Sequence, residues 1–153
     1  MMQQVFLAKQ VFVNAQTIGV LCNTNDAEEK VRSLRIATDA YKLNLKIIAT
    51  RDLMELRTGF DRMTKEGKID LVWIVTDDVA NQKFGRRFLA EKCMAMKIPL
   101  YVPSIENLHE GALFTISTDV DGKSKVFVNR KVYDMIGLSF PQEIKDKIVL
   151  VEF

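Results

Sequence analysis

Polar side chains follow three of the apolar runs in this sequence, at the points where each run ends. Positions 23–26 read Asn-Thr-Asn-Asp, positions 76–78 read Thr-Asp-Asp, and positions 104–107 include a serine, a glutamate and an asparagine. Amide and hydroxyl groups hydrogen-bond a polar ligand, and carboxylates pair with an ammonium group, so this mixture suits an amino acid or a similar zwitterion. The candidate ligand-binding residues are Asn23, Asn25, Thr76, Asp77, Asp78, Ser104, Glu106 and Asn107.

A structural interpretation of the same residues stays open. Asn, Asp, Ser and Thr at strand-to-helix junctions often cap helices, because their side-chain oxygens accept from the free amides of the first turn. Capping alone explains any one of these side chains. Only their expected convergence on one edge of a sheet favours a binding site.

That convergence requires a parallel sheet. Apolar runs bounded by turn residues alternate with segments of helical period, which is typical of βαβ units. The runs are so continuously apolar that they suit strands covered on both faces. In an open parallel sheet, ligands bind beyond the carboxyl ends of the strands, where loops lead into helices. The predicted strands are 17–22, 45–49, 69–75, 98–102 and 112–117.

The first three segments between those strands each have one apolar stripe and are predicted to be helices. Asn25 with Glu28, or Asp26 with Glu29, is expected to cap the first of them. A further helix is predicted before Thr17. The helices between the strands are predicted around 27–41, from Asp52 with Glu55 to Gly67, and over 78–96.

After Thr118 the pattern changes. Asp121-Gly122 lies between two short β-prone runs and predicts a hairpin. Asn129 is placed to cap a short helix ending at Gly137, Pro141 to begin another short turn, and residues 148–153 to close the sheet edge. The whole chain, 1–153, is therefore predicted to be a single three-layer α/β domain, with a mainly parallel sheet and helices on both faces.

Composition excludes several classes of function. The 153 residues carry a formal net charge of only +2, which is too little to recruit nucleic acid or anionic lipid. Cys22 and Cys93 are the only cysteines and have no metal-ligand spacing, so neither a zinc site nor a disulfide framework is expected. No apolar run approaches the roughly 18 residues of a membrane span, and no cofactor is predicted. The first residues, MMQQVFLAKQVF, show no signal peptide, and the compartment stays undetermined.

An enzyme is the weakest interpretation. Asp77 and Asp78 are adjacent, and neighbours leaving a strand usually diverge, so they make a poor catalytic pair. His109 is the sole histidine and has no serine or cysteine nucleophile in a recognisable motif. No Gly-x-Gly-x-x-Gly follows the first strand. The basic cluster Lys83, Arg86 and Arg87 is interpreted as the solvated side of a helix.

Four stretches resemble the ABC-transporter solute-binding proteins of the tryptophan/tyrosine type, which have the two-lobed periplasmic-binding-protein fold. They are NAQTIGVLCNTND (14–26), DLVWIVTDD (70–78), KIPLYV (97–102) with EGAL (110–113), and VFVNRKVYDMIGLSFPQEI (126–144). The resemblance implies that this chain corresponds to the second lobe. The family's first lobe is absent, the segment between Gly122 and Val126 is much shorter than in the family, and Asp78 stands where the family tends to have asparagine.

The resemblance implies a non-enzymatic domain that recognises a small zwitterion, such as an aromatic amino acid. Asp77 would pair with the ammonium group, Thr76 and Asn23 would hydrogen-bond the ligand, and Ser104 would help to hold its carboxylate. Since one lobe supplies only half of the cleft, a second copy or a partner chain is expected. The alternative is a ligand-free interaction or dimerisation module on the same scaffold.

Overall fold

The computed structural model describes residues 1–77 and 79–153, and strands and helices alternate along most of this part of the chain. The strands are β1 (Thr17–Cys22), β2 (Asn44–Ala49), β3 (Leu71–Trp73), β4 (Leu100–Tyr101), β5 (Phe114–Thr118), β6 (Ser124–Asn129) and β7 (Ile148–Val151). The helices are α1 (Met2–Val11), α2 (Glu28–Ala40), α3 (Leu53–Glu66), α4 (Lys83–Met96) and α5 (Arg130–Ile136), with 3-10 helices over Ile105–Glu110 and Gln142–Lys147.

The seven strands form one sheet in the order β2-β1-β3-β4-β5-β6-β7. Neighbouring strands are parallel except β5 and β6, which form an antiparallel hairpin. The predicted mainly parallel sheet is therefore confirmed. Because β1, β3 and β4 are parallel neighbours, the loops that follow them leave the sheet at one edge, here called the carboxyl edge. The loops that precede them lie at the opposite edge, the amino edge.

Helices cover both faces of the sheet and create a separate apolar core on each. On one face, α1 and α2 pack with β1 and β3 around residues such as Val5, Leu34 and Trp73. On the other face, α3 and α4 pack around residues such as Phe60 and Leu89. Trp73 stacks on Tyr101 across β3 and β4 with ring centroids 3.8 Å apart. The three-layer prediction is confirmed.

Several local predictions are confirmed by the contacts that define these elements. The Asp52 carboxylate accepts from the Glu55 amide at 2.8 Å and begins α3, and the Asn129 side chain accepts from the Val132 amide at the start of α5. Gly122 has φ +77° in the turn between β5 and β6, and Gly137 ends α5 with φ +79°. Both positions favour glycine because a Cβ disfavours the left-handed region.

Three expectations about boundaries are wrong. Neither Asn25 nor Asp26 caps α2, which begins after Ala27 without a side-chain cap. The helix predicted from residue 78 begins at Lys83, because residues 79–82 form a turn in which the Gln82 amide bonds the Val79 carbonyl. The ladders of β3 and β4 are also shorter than the apolar runs at 69–75 and 98–102.

Candidate functional site

Asp77 joins two of the three predicted loops at the carboxyl edge. Its Oδ2 accepts from the Asn23 amide at 2.8 Å, and its Oδ1 accepts from the Asn81 amide at 2.9 Å. The Asn23 bond ties the end of β1 to the segment after β3, although the two residues are 54 positions apart. A carboxylate that accepts from backbone amides forms strong, charge-assisted hydrogen bonds. The Asp77 carboxylate is therefore a structural clamp between loops, a role that the sequence pattern did not indicate.

The first two sets of predicted residues lie next to this clamp. The Asn25 amide donates to Oδ1 of Asn23 at 3.3 Å, and Asn25 itself is exposed. Thr76 is half-buried, and its carbonyl accepts from the Lys30 ammonium at 3.0 Å. Lys30 thus links α2 to the segment after β3. The structure brings the first and second sets together, while Asp78 lies outside the described residues.

The third set follows β4 at the same edge, one strand further along the sheet. The Ser104 hydroxyl oxygen accepts from the Glu106 amide at 3.3 Å and begins the 3-10 helix over Ile105–Glu110. The Asn107 amide donates to the Ser104 carbonyl at 3.1 Å. Glu106 is exposed, whereas Ser104 and Asn107 are half-buried. These hydrogen bonds stay within the loop, so strand topology, and not direct contact, places this set on the same edge as Asp77.

An ion pair between Arg86 and Glu110 joins α4 to the 3-10 helix that follows β4. Arg86 Nε lies 2.8 Å from Glu110 Oε1, and the two side chains are only 15% and 12% exposed. Arg86 also donates to the Asn81 carbonyl, which connects the pair to the loop that Asp77 holds. The expectation that Arg86 belongs to a solvated face is therefore wrong. Its partner is 24 positions away, so helical periodicity could not reveal it.

Cys22 ends β1 directly before these loops. Burial raises the pKa of its thiol from 9.0 to about 12, and the nearby Asp77 carboxylate adds to the shift. Desolvation disfavours the thiolate, and a neighbouring negative charge disfavours it further. Cys22 is thus neutral at ordinary pH, and because it is fully buried it belongs to the apolar core and not to the polar rim. Burial also raises the pKa of the Cys93 thiol, which lies on the buried face of α4.

His109 is exposed in the 3-10 helix after β4, with its ring centroid 6.0 Å from that of Phe153. In residues 1–77 and 79–153, no three side chains of His, Cys, Asp or Glu cluster as a metal site would require. Of the helices in those same residues, none has both the length and the apolar character needed to cross a membrane.

The carboxyl edge is a polar rim, and a pocket lies at the opposite edge. A pocket of about 520 Å³ is at the amino edge, with residues such as Phe12, Asp70 and Phe140 in its walls. Asn23, Asn25, Thr76, Asp77, Ser104, Glu106 and Asn107, the predicted ligand-binding residues that the structure describes, do not line it.

Comparison with known families gives this geometry a context. A family model described as ABC transporter substrate binding protein matches residues 1–144. The chain belongs to the ABC transporter substrate-binding protein family. The match includes all three predicted loops, and the resemblance inferred from the four sequence stretches is confirmed. No curated protein sequence matches the chain significantly.

Solved structures with the same fold include members of this class of protein. One is an ABC domain in complex with L-Trp from Streptococcus pneumonia, which is 18% identical with a TM-score of 0.79, over 97% of this chain and 60% of that one. Another is a conserved domain protein from Vibrio cholerae, at 14% identity and TM-score 0.81, over 99% and 59% of the two chains. The third is a ligand-free, open substrate binding protein with adhesive properties from Clostridium difficile, at 19% identity and TM-score 0.75, over 98% and 59%.

These structural similarities establish the fold. The chain spans about 60% of the length of the solved structures it matches, and its fold is that of a single periplasmic-binding-protein-like lobe. The family is a class of substrate-binding proteins, in which recognition of a small ligand is the expected activity. Neither comparison identifies the ligand of this chain.

Proposed function

We propose that this chain is a non-enzymatic recognition lobe that binds an amino acid, or a similar small zwitterion, at its carboxyl edge. The observation that carries the proposal is the clamp by Asp77, which brings the loops after β1 and β3 together at the edge where open α/β sheets bind ligands. Family membership and the L-Trp complex of one structural neighbour support it.

The residues of the rim offer the groups that a zwitterion needs. Within residues 1–77 and 79–153, each Asp77 oxygen accepts one backbone amide, and a carboxylate has about four acceptor sites, so acceptor capacity remains for a ligand ammonium group. Thr76 and Asn23 supply hydrogen-bonding side chains beside it. The Ser104 oxygen accepts from the Glu106 amide, which leaves its hydroxyl proton available for a ligand carboxylate. Asn25, Asp78, Glu106 and Asn107 complete the proposed set.

A single lobe covers only one side of such a ligand. Ligand pockets usually bury most of the ligand surface, and incomplete burial lowers affinity. We therefore infer that a second body, either another copy of this chain or a partner chain, completes the site. No step of the proposal requires a nucleophile, a general base or a cofactor.

Calorimetric titration with each of the common amino acids tests this function. Thr76→Val removes one hydroxyl with little change of shape, and we expect it to weaken binding of the preferred amino acid roughly 3- to 10-fold. Thr58→Val on α3 is the matched control, since its hydroxyl donates to the Met54 and Glu55 carbonyls of its own helix. If no amino acid gives heat or a thermal shift at millimolar concentration, the proposed ligand class is wrong.

A surface on α3 and α4 favours a second candidate, self-association. Leu53, Met54 and Phe84 are 41%, 75% and 65% exposed, and Leu53 and Phe84 line a shallow groove that also contains Arg87 and Glu91. Aromatic, Met and Arg side chains are enriched in protein interfaces. In a symmetric dimer through this surface, Arg87 of one copy would pair with Glu91 of the other. Sedimentation tests this candidate: Phe84→Ser should abolish a dimer that forms through this surface, and a strict monomer at high concentration would refute self-association.

A further inference from the structure

The amino-edge pocket combines an aromatic wall with a rim of lysines. Its volume is about 520 Å³, within the range of roughly 300 to 1,000 Å³ that small-molecule sites occupy. Its walls come from the segment after α1, the segments before β3 and β4, and the segment after α5. The residues of these walls are far apart in the sequence, so only folding brings them together.

The apolar wall is built around two half-buried rings. The rings of Phe12 and Phe140 are edge-to-face with centroids 6.3 Å apart. Phe12 also packs on buried Phe114 at 5.1 Å, and Phe140 packs on Tyr133 at 4.8 Å. Such contacts fix both rings against the core, so the pocket presents a preformed surface for a flat, apolar group.

The residues that line the pocket carry more positive than negative charge. Asp70 is the acidic residue in its lining, and its Oδ2 already accepts from the amides of Gln16 and Thr17 at 2.9 and 3.0 Å. Lys68 lies 3.7 Å from the other Asp70 oxygen with an 89% exposed side chain. Lys97 is exposed, and within residues 1–77 and 79–153 no carboxylate forms an ion pair with it.

We propose that this amino-edge pocket is a second small-molecule site, which takes an organic acid with a ring-bearing apolar body and one carboxylate. The ring packs against Phe12 and Phe140, and the carboxylate faces Lys68 and Lys97. A zwitterion is a poorer fit here, because its ammonium group would meet two lysines, and Lys68 already lies 3.7 Å from Asp70 Oδ1. The inference is independent of the proposed function, which concerns the opposite edge of the sheet.

The test uses 3-phenylpropionate and its neutral counterpart, 3-phenylpropionamide, with the backbone amide spectrum of the full chain as the readout. We expect the acid to shift the amides of Val13, Asn14, Lys97 and Ser139 saturably, and the neutral amide to bind at least about 3-fold more weakly. Lys97→Asn should weaken binding of the acid by about 3- to 10-fold, and added salt should weaken it further.

Lys42→Asn is a matched control, because Lys42 and Lys97 are exposed lysines that both have φ +57°. Asparagine tolerates that conformation, so both variants lose one charge without backbone strain. The proposal is overturned if the two variants weaken binding equally, if the neutral probe binds as tightly as the acid, or if nothing saturates up to about 10 mM. Shifts confined to Asn23, Thr76 and Ser104 would also overturn it, while leaving the proposed function intact.

Discussion

At each of the two edges of the sheet, an aspartate carboxylate binds two backbone amides, but the two carboxylates hold different kinds of segment. At the amino edge, Asp70 accepts from the amides of Gln16 and Thr17 and so fixes the start of β1. At the carboxyl edge, Asp77 accepts from Asn23 and from Asn81 and so fixes two separate loops. Both carboxylates hold two backbone amides. One secures a strand beside a cavity, whereas the other positions polar loops on an open rim.

The difference shows what each edge lacks. The amino edge has a pocket with an apolar wall, and two of the three charged residues in its lining are lysines. The carboxyl edge has amides, hydroxyls and carboxylates from three loops. In the two proposals, the amino edge takes an acid into an existing pocket, and the carboxyl edge takes a zwitterion that a second body covers. The two proposed sites therefore differ in ligand charge and in completeness.

The largest expected effect on stability comes from Gly85→Ala, which disturbs the segment after β3 at the carboxyl edge. A Cβ at Gly85 would overlap the Val79 carbonyl oxygen and lie 2.9 Å from the Ala80 carbonyl oxygen. Because backbone, not a flexible side chain, blocks the space, we expect destabilisation of about 3 kcal/mol in urea unfolding.

Gly67→Ala is the counterpart at the amino edge. No atom lies within 4 Å of a Cβ there, and Gly67 has an extended backbone with φ 175°. Alanine should leave stability unchanged or raise it by about 0.5 kcal/mol, through the lower entropy of the unfolded chain. Equal destabilisation by the two variants would show that the loop after β3 is not held as tightly as described.

Substitution of the two aspartates should change the free energy of unfolding by an intermediate amount. Asp77→Asn replaces one acceptor oxygen by an NH2 group that faces a backbone amide, because each Asp77 oxygen accepts one, so it should cost about 1 to 3 kcal/mol of unfolding free energy. Asp70→Asn can keep its remaining oxygen toward the amides of Gln16 and Thr17, which both bind Oδ2, so it should cost less. Only Asp77→Asn should also abolish amino-acid binding. Calorimetry on both variants, below their unfolding temperatures, checks this. Retained binding in Asp77→Asn would remove Asp77 from the proposed ligand site.

The smallest effects concern acid stability at the two ends of α3. Hydrogen bonds from Arg51 lower the pKa of Glu55 near the carboxyl edge, and a hydrogen bond from Lys46 lowers the pKa of Glu66 near the amino edge. A carboxyl whose folded pKa is lowered stabilises the fold above its unfolded pKa, and that contribution disappears as the pH falls through the folded pKa.

Glu55→Gln and Glu66→Gln should therefore each flatten the loss of stability as the pH falls below about 5. Both effects should be small, because both side chains are solvent-accessible and salt screens their pairs. Urea unfolding at several pH values gives the slopes. A steeper slope in either variant would contradict the assigned direction of the pKa shift.

Much of the fold could be predicted because its signals are local. Continuous apolar runs indicated the parallel strands, and short-range pairs such as Asp52 with Glu55 and the turn at Asp121-Gly122 indicated element boundaries correctly. The start of α4 was wrong because the turn before it depends on the Asp77 bond to Asn81 and on neighbouring backbone bonds, which no helical period reveals.

The site was predicted less completely, since its decisive contacts join residues far apart in the chain. Placing the three polar sets on one edge follows from parallel topology, and the structure confirms that placement. The hydrogen bonds of Asp70 and Asp77 join residues that are 53 or 54 positions apart in the sequence. The burial of the Arg86–Glu110 pair depends on packing between α4 and the 3-10 helix. Whether the predicted residues bind a ligand stays a prediction.

The most direct test of the central claim is a backbone amide map recorded while the chain is titrated with the amino acid that calorimetry ranks first. Binding at the carboxyl edge predicts saturable shifts at Asn23, Asn25, Thr76 and Asp77 and in the 104–107 loop, with the amides of Val13, Asn14 and Ser139 unmoved. Saturable shifts at the amino edge alone would contradict the account.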